Sequence, residues 1–204
     1  MPAFDSILFD FDGVLLDSEP VHCACWAAVL APLGVHLTWE FYGAACIGID
    51  DREMLRMLAA QADPPLDWDR LWAEYPAKKQ LFQDRMAANP AFHPDMDALL
   101  SELHEGRKLA VVSSSGISEI VPLLVAGNLR HHFDTVVGGN QVRRQKPDPE
   151  PYLLAASRLG VHMPLVVEDS EAGIASGRAA GFEVLQVRSP AEVPELVRRV
   201  VLCT

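Results

Sequence analysis

Four clusters of polar residues in this chain could carry chemistry, and three of them directly follow a short apolar run. The first is Asp10-Phe11-Asp12-Gly13, directly after Ile7-Leu8-Phe9. Carboxylates two residues apart at a strand end can share one face, and Gly13 permits a sharp turn close to a ligand. The second is Ser113-Ser114-Ser115-Gly116, after the apolar residues 109–112. Hydroxyls and free backbone N–H groups between a strand and a helix make a cradle for an oxyanion. The third is Lys146-Pro147-Asp148-Pro149, a proline-stiffened turn that can present a fixed positive charge. The fourth is Glu168-Asp169-Ser170, closing the run Leu165-Val166-Val167. Paired carboxylates suit magnesium, which takes hard oxygen ligands and keeps several waters.

Taken singly, each cluster has an ordinary explanation. Asp-Gly is a common turn. The serines, Asp169 and Ser170 read as helix N-caps, and Lys146 reads as a solvated loop lysine. Jointly these explanations fail, because three of the four clusters sit at the ends of separate apolar strands. An acid pair, a hydroxyl cradle, a lysine and a second acid pair are what a metal-assisted phosphoryl transfer needs.

The elements that must position these groups are legible in the periodicity. Short apolar runs at 7–9, 109–112 and 165–167 read as buried strands, with shorter candidates at 135–137 and 184–187. Helical patterns at 96–105, 118–126, 149–159 and 172–180 each end at a glycine (Gly106, Gly127, Gly160, Gly181), where a C-terminal cap favours a left-handed residue. The alternation predicts an α/β fold, a doubly wound parallel sheet with helices on both faces. Ligands of such sheets bind beyond the carboxyl ends of the strands. Residues 17–89 break the rhythm and read as all-helical. Residues 26–33 are amphipathic, Asp50 and Glu53 are spaced as a capping box, and 67–88 form a long helix or helix pair with Pro76 as a candidate kink. Residues 89–94 look like a return linker. The expected organisation is a core of 1–16 and 90–204 with a helical domain, 17–89, inserted after the first strand.

Composition narrows the classes. Half of the 204 residues are hydrophobic, enough for a folded core, and the net charge of −11 gives no general attraction to nucleic acid or anionic membrane. No apolar run approaches the ~18 residues of a membrane span, and the N-terminus lacks the pattern of a secretory signal, so the cytoplasm is the expected location. Cys23, Cys25, Cys46 and Cys203 lack metal-site spacing and read as reduced thiols packed as small apolar groups. His131-His132 has no second ligand cluster nearby in sequence and reads as surface. No G-x-x-x-x-G-K-[ST] loop is present to cradle a nucleotide, which argues against a kinase.

Four motifs in this order, DFDGVLLDSEP (10–20), SSSG (113–116), KPDPEPY (146–152) and EDSEAGIASGRAAG (168–181), make the chain resemble the haloacid dehalogenase superfamily of hydrolases. The match is to the branch with a Rossmann-like core and a helical cap, and it covers essentially the whole chain. The resemblance implies that Asp10 attacks phosphorus and becomes an aspartyl-phosphate, while Asp12 protonates the leaving oxygen and then activates water. It implies that Ser113, with Ser114 and Ser115 behind it, holds the phosphoryl oxygens, and that Lys146 neutralises charge beside the nucleophile. Magnesium would be bound by Asp10, the backbone carbonyl of Asp12, Glu168 and Asp169. The dehalogenases that name the group lack an acid at the position of Asp12, so its presence favours phosphate esters.

In relatives a loop between cap helices closes over the core; here it corresponds to Cys46 through Arg52. Gly48 and Arg52 are thus candidates for substrate contact, although a helix-surface role suits Arg52 equally. His22 and Trp26, one turn apart, face the same side and are candidates for the cavity wall; core packing of Trp26 and a surface His22 fit as well. The expected reaction is hydrolysis of a small phosphorylated metabolite by a monomer or weak dimer. A β-phosphoglucomutase-like phosphosugar mutase is the alternative. Against it, Gly48 and Arg52 are four apart rather than three, and Gly116 and Ile117 replace the lysine and asparagine that follow the mutase's serine. A non-catalytic binding protein would be expected to lack a catalytic acid, and here every motif position is filled.

Overall fold

The computed structural model describes residues 4–47, 49–62 and 64–202. The chain opens with β1 (Ser6–Phe9) and passes through α1 (Glu19–Leu30), α2 (Trp39–Ala45), α3 (Asp51–Gln61), α4 (Trp68–Trp72) and α5 (Tyr75–Ala88). Strands and helices then alternate: α6 (Met96–His104), β2 (Lys108–Val112), α7 (Ile117–Ala126), β3 (Thr135–Val137), α8 (Glu150–Leu159), β4 (Pro164–Glu168), α9 (Glu171–Ala179), β5 (Glu183–Gln186) and α10 (Val193–Val201). Two compact units result: Ser18–Ala88, and Met1–Asp17 with Asn89–Thr204.

In the α/β unit all five strands are parallel, in the order β3-β2-β1-β4-β5. The inner strands β1 and β4 are buried along their whole length, as parallel strands covered on both faces must be. Leu8, Ala110, Val112, Val137 and Val166 share one cluster with Tyr152, Ala155 and Leu159 of α8. Ile7 and Phe9 alternate to the other face, where Phe9 meets Phe133 edge to face at 6.3 Å. The register sets the chemistry. Phe9 pairs with both Val111 and Val167, so β1, β2 and β4 end within one residue of each other and Asp10, Ser113 and Glu168 emerge along one sheet edge. The ladder carries just past the strands, through Asp10 N–H to Val167 O at 3.0 Å and Ser113 N–H to Val137 O at 2.9 Å.

The glycine stops behave as expected at three of four helix ends, with φ of 132° at Gly106, 66° at Gly160 and 82° at Gly181. Gly127 differs: its φ is −81°, and the left-handed position passes to Asn128, φ 55°. Glycine is required at 127 for space, since a Cβ there would lie 2.4 Å from the Phe92 ring.

The helical unit has its own core, built on Trp26, Leu30, Met54, Leu55, Leu58 and Leu71. Asp50 caps α3 by accepting from the N–H groups of Arg52 at 2.7 Å and Glu53 at 3.0 Å. Pro76 does not kink a long helix. It stands second in α5, where its missing N–H costs no hydrogen bond, and the chain breaks before it between α4 and α5. Helix α2, capped by Thr38, has no counterpart in the sequence reading. Seven residues with Gly43 among them give too short a periodic signal.

This core also contains charge. Lys78 is buried and pairs with Asp51 at 3.1 Å, and the Trp26 indole N–H donates to the same carboxylate at 2.8 Å. The Lys78 ammonium lies 5.2 Å from the Trp26 ring centre. His22 stacks on Phe82 with ring centres 4.0 Å apart, and its Nδ1 is buried without a hydrogen-bond partner among the described residues. Burial and the Lys78 charge push its pKa down to about 4. The unfolded chain, with an ordinary histidine, therefore binds the extra proton first as pH falls. Stability is full above the unfolded value near 6.5 and declines as pH drops toward about 4. Denaturant unfolding should show His22 costing about 2 kcal/mol between pH 7 and pH 5. A His22→Phe variant should lose that part of the acid sensitivity; an unchanged pH slope would contradict the assignment.

Candidate active site

Asp10 is the first residue past β1 and is 7% exposed. Lys146 reaches it from the loop before α8, with Nζ 2.5 Å from Asp10 Oδ1, 2.7 Å from Glu168 Oε1 and 2.9 Å from the Val112 carbonyl. An ammonium has three N–H donors, and here all three are used. The solvated-loop explanation of Lys146 fails, because its side chain is 5% exposed. The loop is tied down on both sides. Glu150 accepts from the N–H groups of Arg143 and Arg144, and the Ser176 hydroxyl donates to the Asp148 carbonyl at 2.6 Å.

Glu168, the last residue of β4, is fully buried and five donors hold it. Its Oε1 accepts from Lys146 and from the Tyr152 hydroxyl at 3.0 Å. Its Oε2 accepts from Asp169 N–H at 2.9 Å, and from Ser170 N–H and hydroxyl, both at 3.0 Å. Ser170 also caps α9, accepting from Gly173 N–H at 3.0 Å. The carboxylate lies against the first turn of α9 so closely that a Cβ on Gly173 would fall 1.5 Å from Oε1.

Asp12 stands on a tight turn in which Leu15 and Leu16 N–H groups donate to Phe11 O and Gly13 N–H donates to Leu16 O. Gly13 takes φ 80°, and a Cβ there would lie 2.1 Å from Asp169 Oδ2. One glycine thus serves the turn and the close approach of the second acid pair. Asp12 is exposed, and its Oδ2 accepts from the Ser115 hydroxyl at 3.1 Å. Ser113, buried, accepts from Ser115 N–H at 3.0 Å. The serines do not cap α7: its N-cap is Gly116, without a side-chain cap bond. Their backbone rests on Gly138-Gly139, with Gly139 N–H donating to Ser115 O at 2.9 Å and no room for a Cβ beside Ser114 O.

The electrostatics are those of an anionic cluster around one cation. Burial pulls the Lys146 pKa down, but Asp10 and Glu168 outweigh it and hold the ammonium above its ordinary value. Burial drives Asp10 above the ordinary carboxylate range; Lys146 opposes the shift and Glu168 adds to it. Asp169 is pushed up to about 6, first by burial and then by Glu168. Oxygens of Asp10, Glu168 and Asp169 lie within 4.8 Å of one another. This is a hard donor set with excess negative charge, and it fits a divalent cation.

Direct contacts therefore join Asp10, Lys146, Glu168 and Asp169 in one set and Asp12, Ser115 and Ser113 in another, and Ser114 continues the serine loop with its side chain exposed. The candidates described in the helical unit lie within that unit's own packing. Gly48 is outside the described residues. Arg52 is in the first turn of α3, its guanidinium 4.9 Å from the Trp72 ring centre, and His22 stacks on Phe82. The sequence alone marks no role for Tyr152, although it lies in the KPDPEPY motif, or for Gly138, Gly139 and Lys78. A hydroxyl that anchors a carboxylate sixteen residues away leaves no local pattern. The sequence also reads His132 as surface, whereas that ring is buried and lies 2.8 Å from Asp97.

The family model for haloacid dehalogenase-like hydrolases matches residues 7–187. The chain is 33% identical over 192 residues to a fructose-1-phosphate phosphatase of Escherichia coli, covering 91% of this chain and 97% of that protein. It is 30% identical over 182 residues to a phosphorylated carbohydrates phosphatase of Thermotoga maritima, covering 88% and 82%. Among solved structures, a protein described as a putative beta-phosphoglucomutase from Thermotoga maritima superposes with a TM-score of 0.74 at 25% identity, covering 97% of this chain and all of that one. No described helix is long and apolar enough to cross a membrane. The matched length, the parallel sheet and the four polar clusters, three of them at strand ends and Lys146 in the loop before α8, agree: the chain belongs to the haloacid dehalogenase-like hydrolase family.

Proposed function

We propose that this protein is a magnesium-dependent phosphatase that hydrolyses a small phosphorylated metabolite through a phosphoryl group carried on Asp10. The observation that carries the proposal is the buried Asp10–Lys146–Glu168 contact set beside an exposed Asp12 held by Ser115. The relatives named as sugar-phosphate phosphatases support phosphate esters as the substrate class.

Asp10 supplies a carboxylate oxygen to phosphorus, and the bond from phosphorus to the ester oxygen breaks. Asp12 gives its proton to that leaving oxygen. The resulting Asp12 carboxylate then takes a proton from water as the water oxygen attacks phosphorus, the phosphorus–Asp10 bond breaks, and phosphate and free Asp10 are regenerated. Ser115 aims Asp12 for both transfers. Lys146 keeps a positive charge beside the nucleophile, where negative charge gathers on the transferring group. Asp10, Asp169 and the Asp12 carbonyl would hold magnesium. Glu168 belongs to the same group, but with five donors already on its oxygens its chief task is fixing Lys146. When bound, the cation neutralises charge on the phosphoryl oxygens.

The likeness to a putative beta-phosphoglucomutase favours one second reading, a phosphosugar mutase. A mutase would return the phosphoryl group to sugar, whereas a phosphatase releases it to water.

Assayed on a panel of phosphorylated metabolites, the protein should release phosphate. Chelator should stop release and magnesium should restore it, while Asp10→Asn should bring turnover to background in a folded protein. Net isomerisation of a hexose phosphate without phosphate release would establish the mutase. Asp12→Asn should lower kcat by about 10²–10⁴-fold, more for alkyl than for aryl esters, whose leaving oxygens need less protonation; equal losses would remove the acid role. Gly173→Ala should drive Glu168 off Lys146 and cost up to about a hundredfold in kcat in a folded protein. An active Gly173→Ala variant would show that this placement is dispensable.

A further inference from the structure

A second group of metal-ligating side chains lies in the α/β unit and shares no residue with the acid cluster. Asp97, in the first turn of α6, and His131 and His132, in a short 3-10 turn over Arg130–His132 that leads toward β3, bring three ligand atoms within 4.8 Å of one another. They come from sequence positions more than thirty residues apart, which is why the histidine pair looked isolated in the sequence.

The group is held rather than accidental. His132 has a side chain only 7% exposed, and its Nε2 lies 2.8 Å from Asp97 Oδ1. The turn beneath it is fixed by His132 N–H to Leu129 O at 3.2 Å, Phe133 N–H to Arg130 O at 3.3 Å, and the Arg130 guanidinium to Phe133 O at 2.7 Å. Helix α6 is anchored at both ends by Arg198, which donates to Asp95 at 2.5 Å and to Glu102 at 2.7 Å and 2.9 Å. The His131 ring lies beside that of His132, centres 3.9 Å apart, and His131 and Asp97 are both exposed. One buried, oriented imidazole, one solvent-facing imidazole and one solvent-facing carboxylate form an anchored site with open access.

We propose that Asp97, His131 and His132 form a second cation site, selective for zinc and related late divalent metals. Two imidazole nitrogens and one carboxylate oxygen suit zinc, cobalt or nickel, and three protein ligands leave a coordination position for water. Magnesium, which demands a shell of oxygens, is disfavoured here and goes to the acid cluster. On binding, the Asp97–His132 hydrogen bond is exchanged for two bonds to the metal, and the proton between them moves to the other ring nitrogen or to solvent. The metal then cross-links α6 to the turn before β3, which stabilises the folded state in proportion to its occupancy. None of the three residues takes part in the phosphoryl chemistry, so the site is structural or regulatory.

The test is equilibrium dialysis of the full chain against zinc at neutral pH with excess magnesium, paired with thermal unfolding. The variants are His131→Ala and Asp97→Ala, both at exposed positions that leave the buried ring in place, with Asp10→Asn as the acid-cluster control. Wild type and Asp10→Asn should each retain one zinc equivalent and gain in melting temperature. His131→Ala and Asp97→Ala should bind it about tenfold or more weakly and gain less. Equal zinc retention in wild type and His131→Ala overturns the proposal, as does the absence of zinc uptake by folded wild type. Zinc lost in Asp10→Asn but kept in His131→Ala also overturns it, by assigning the metal to the acid cluster.

Discussion

A lysine ammonium buried between two carboxylates is the constraint around which the α/β unit is organised. Taking Lys146, Asp10 and Glu168 out of water is costly, and only close pairing with further hydrogen bonds offsets that cost. Lys146 and Glu168 meet the condition: the ammonium has three acceptors, and Glu168 has five donors. Removing one partner would leave an uncompensated buried charge. The groups around the cluster are therefore as tightly specified as the cluster itself. The Tyr152 hydroxyl is kept a phenol by burial and by Glu168, and Ser170 joins the carboxylate to the first turn of α9.

Geometry follows from that constraint. The carboxyl ends of β1, β2 and β4 must lie close together for the three loops to meet, and the parallel register through Phe9, Val111 and Val167 brings them within one residue of each other. Side chains must then approach backbone more closely than a Cβ allows. Gly13 admits Asp169, Gly173 admits Glu168, and Gly139 admits the serine loop. Catalytic competence and foldability draw here on the same small residues, so substitutions at these glycines act on both.

How much of this the sequence discloses depends on the range of the interaction. Strand positions, the all-helical segment and the four polar clusters are local patterns, and they are readable because apolar runs, glycine stops and motif order lie within a few residues of one another. Three helix ends obey the glycine rule for the same reason. Gly127 does not, because its glycine answers to the Phe92 ring, a contact made across thirty-five residues. Pro76 begins a helix instead of bending one: the chain breaks before it, with α4 packed on α3 and α5 on α1. Tyr152, Lys78 and the Asp97–His132 pair were not legible because their partners come from other elements. The ordinary explanations of Ser113–Ser115 as caps and Lys146 as a solvated side chain fail jointly in the sequence, and burial and hydrogen-bond partners reject each of them singly.

The central claim is that phosphorus passes through Asp10. The most direct measurement is mass spectrometry of the protein quenched in acid during turnover, using the Asp12→Asn variant, whose second step lacks its base. The account requires a phosphoryl adduct on the peptide that begins β1, located on Asp10, forming with the release of the alcohol and decaying with the release of phosphate. Hydrolysis that proceeds with no adduct on Asp10 at any time, or with the adduct on another residue, would contradict it.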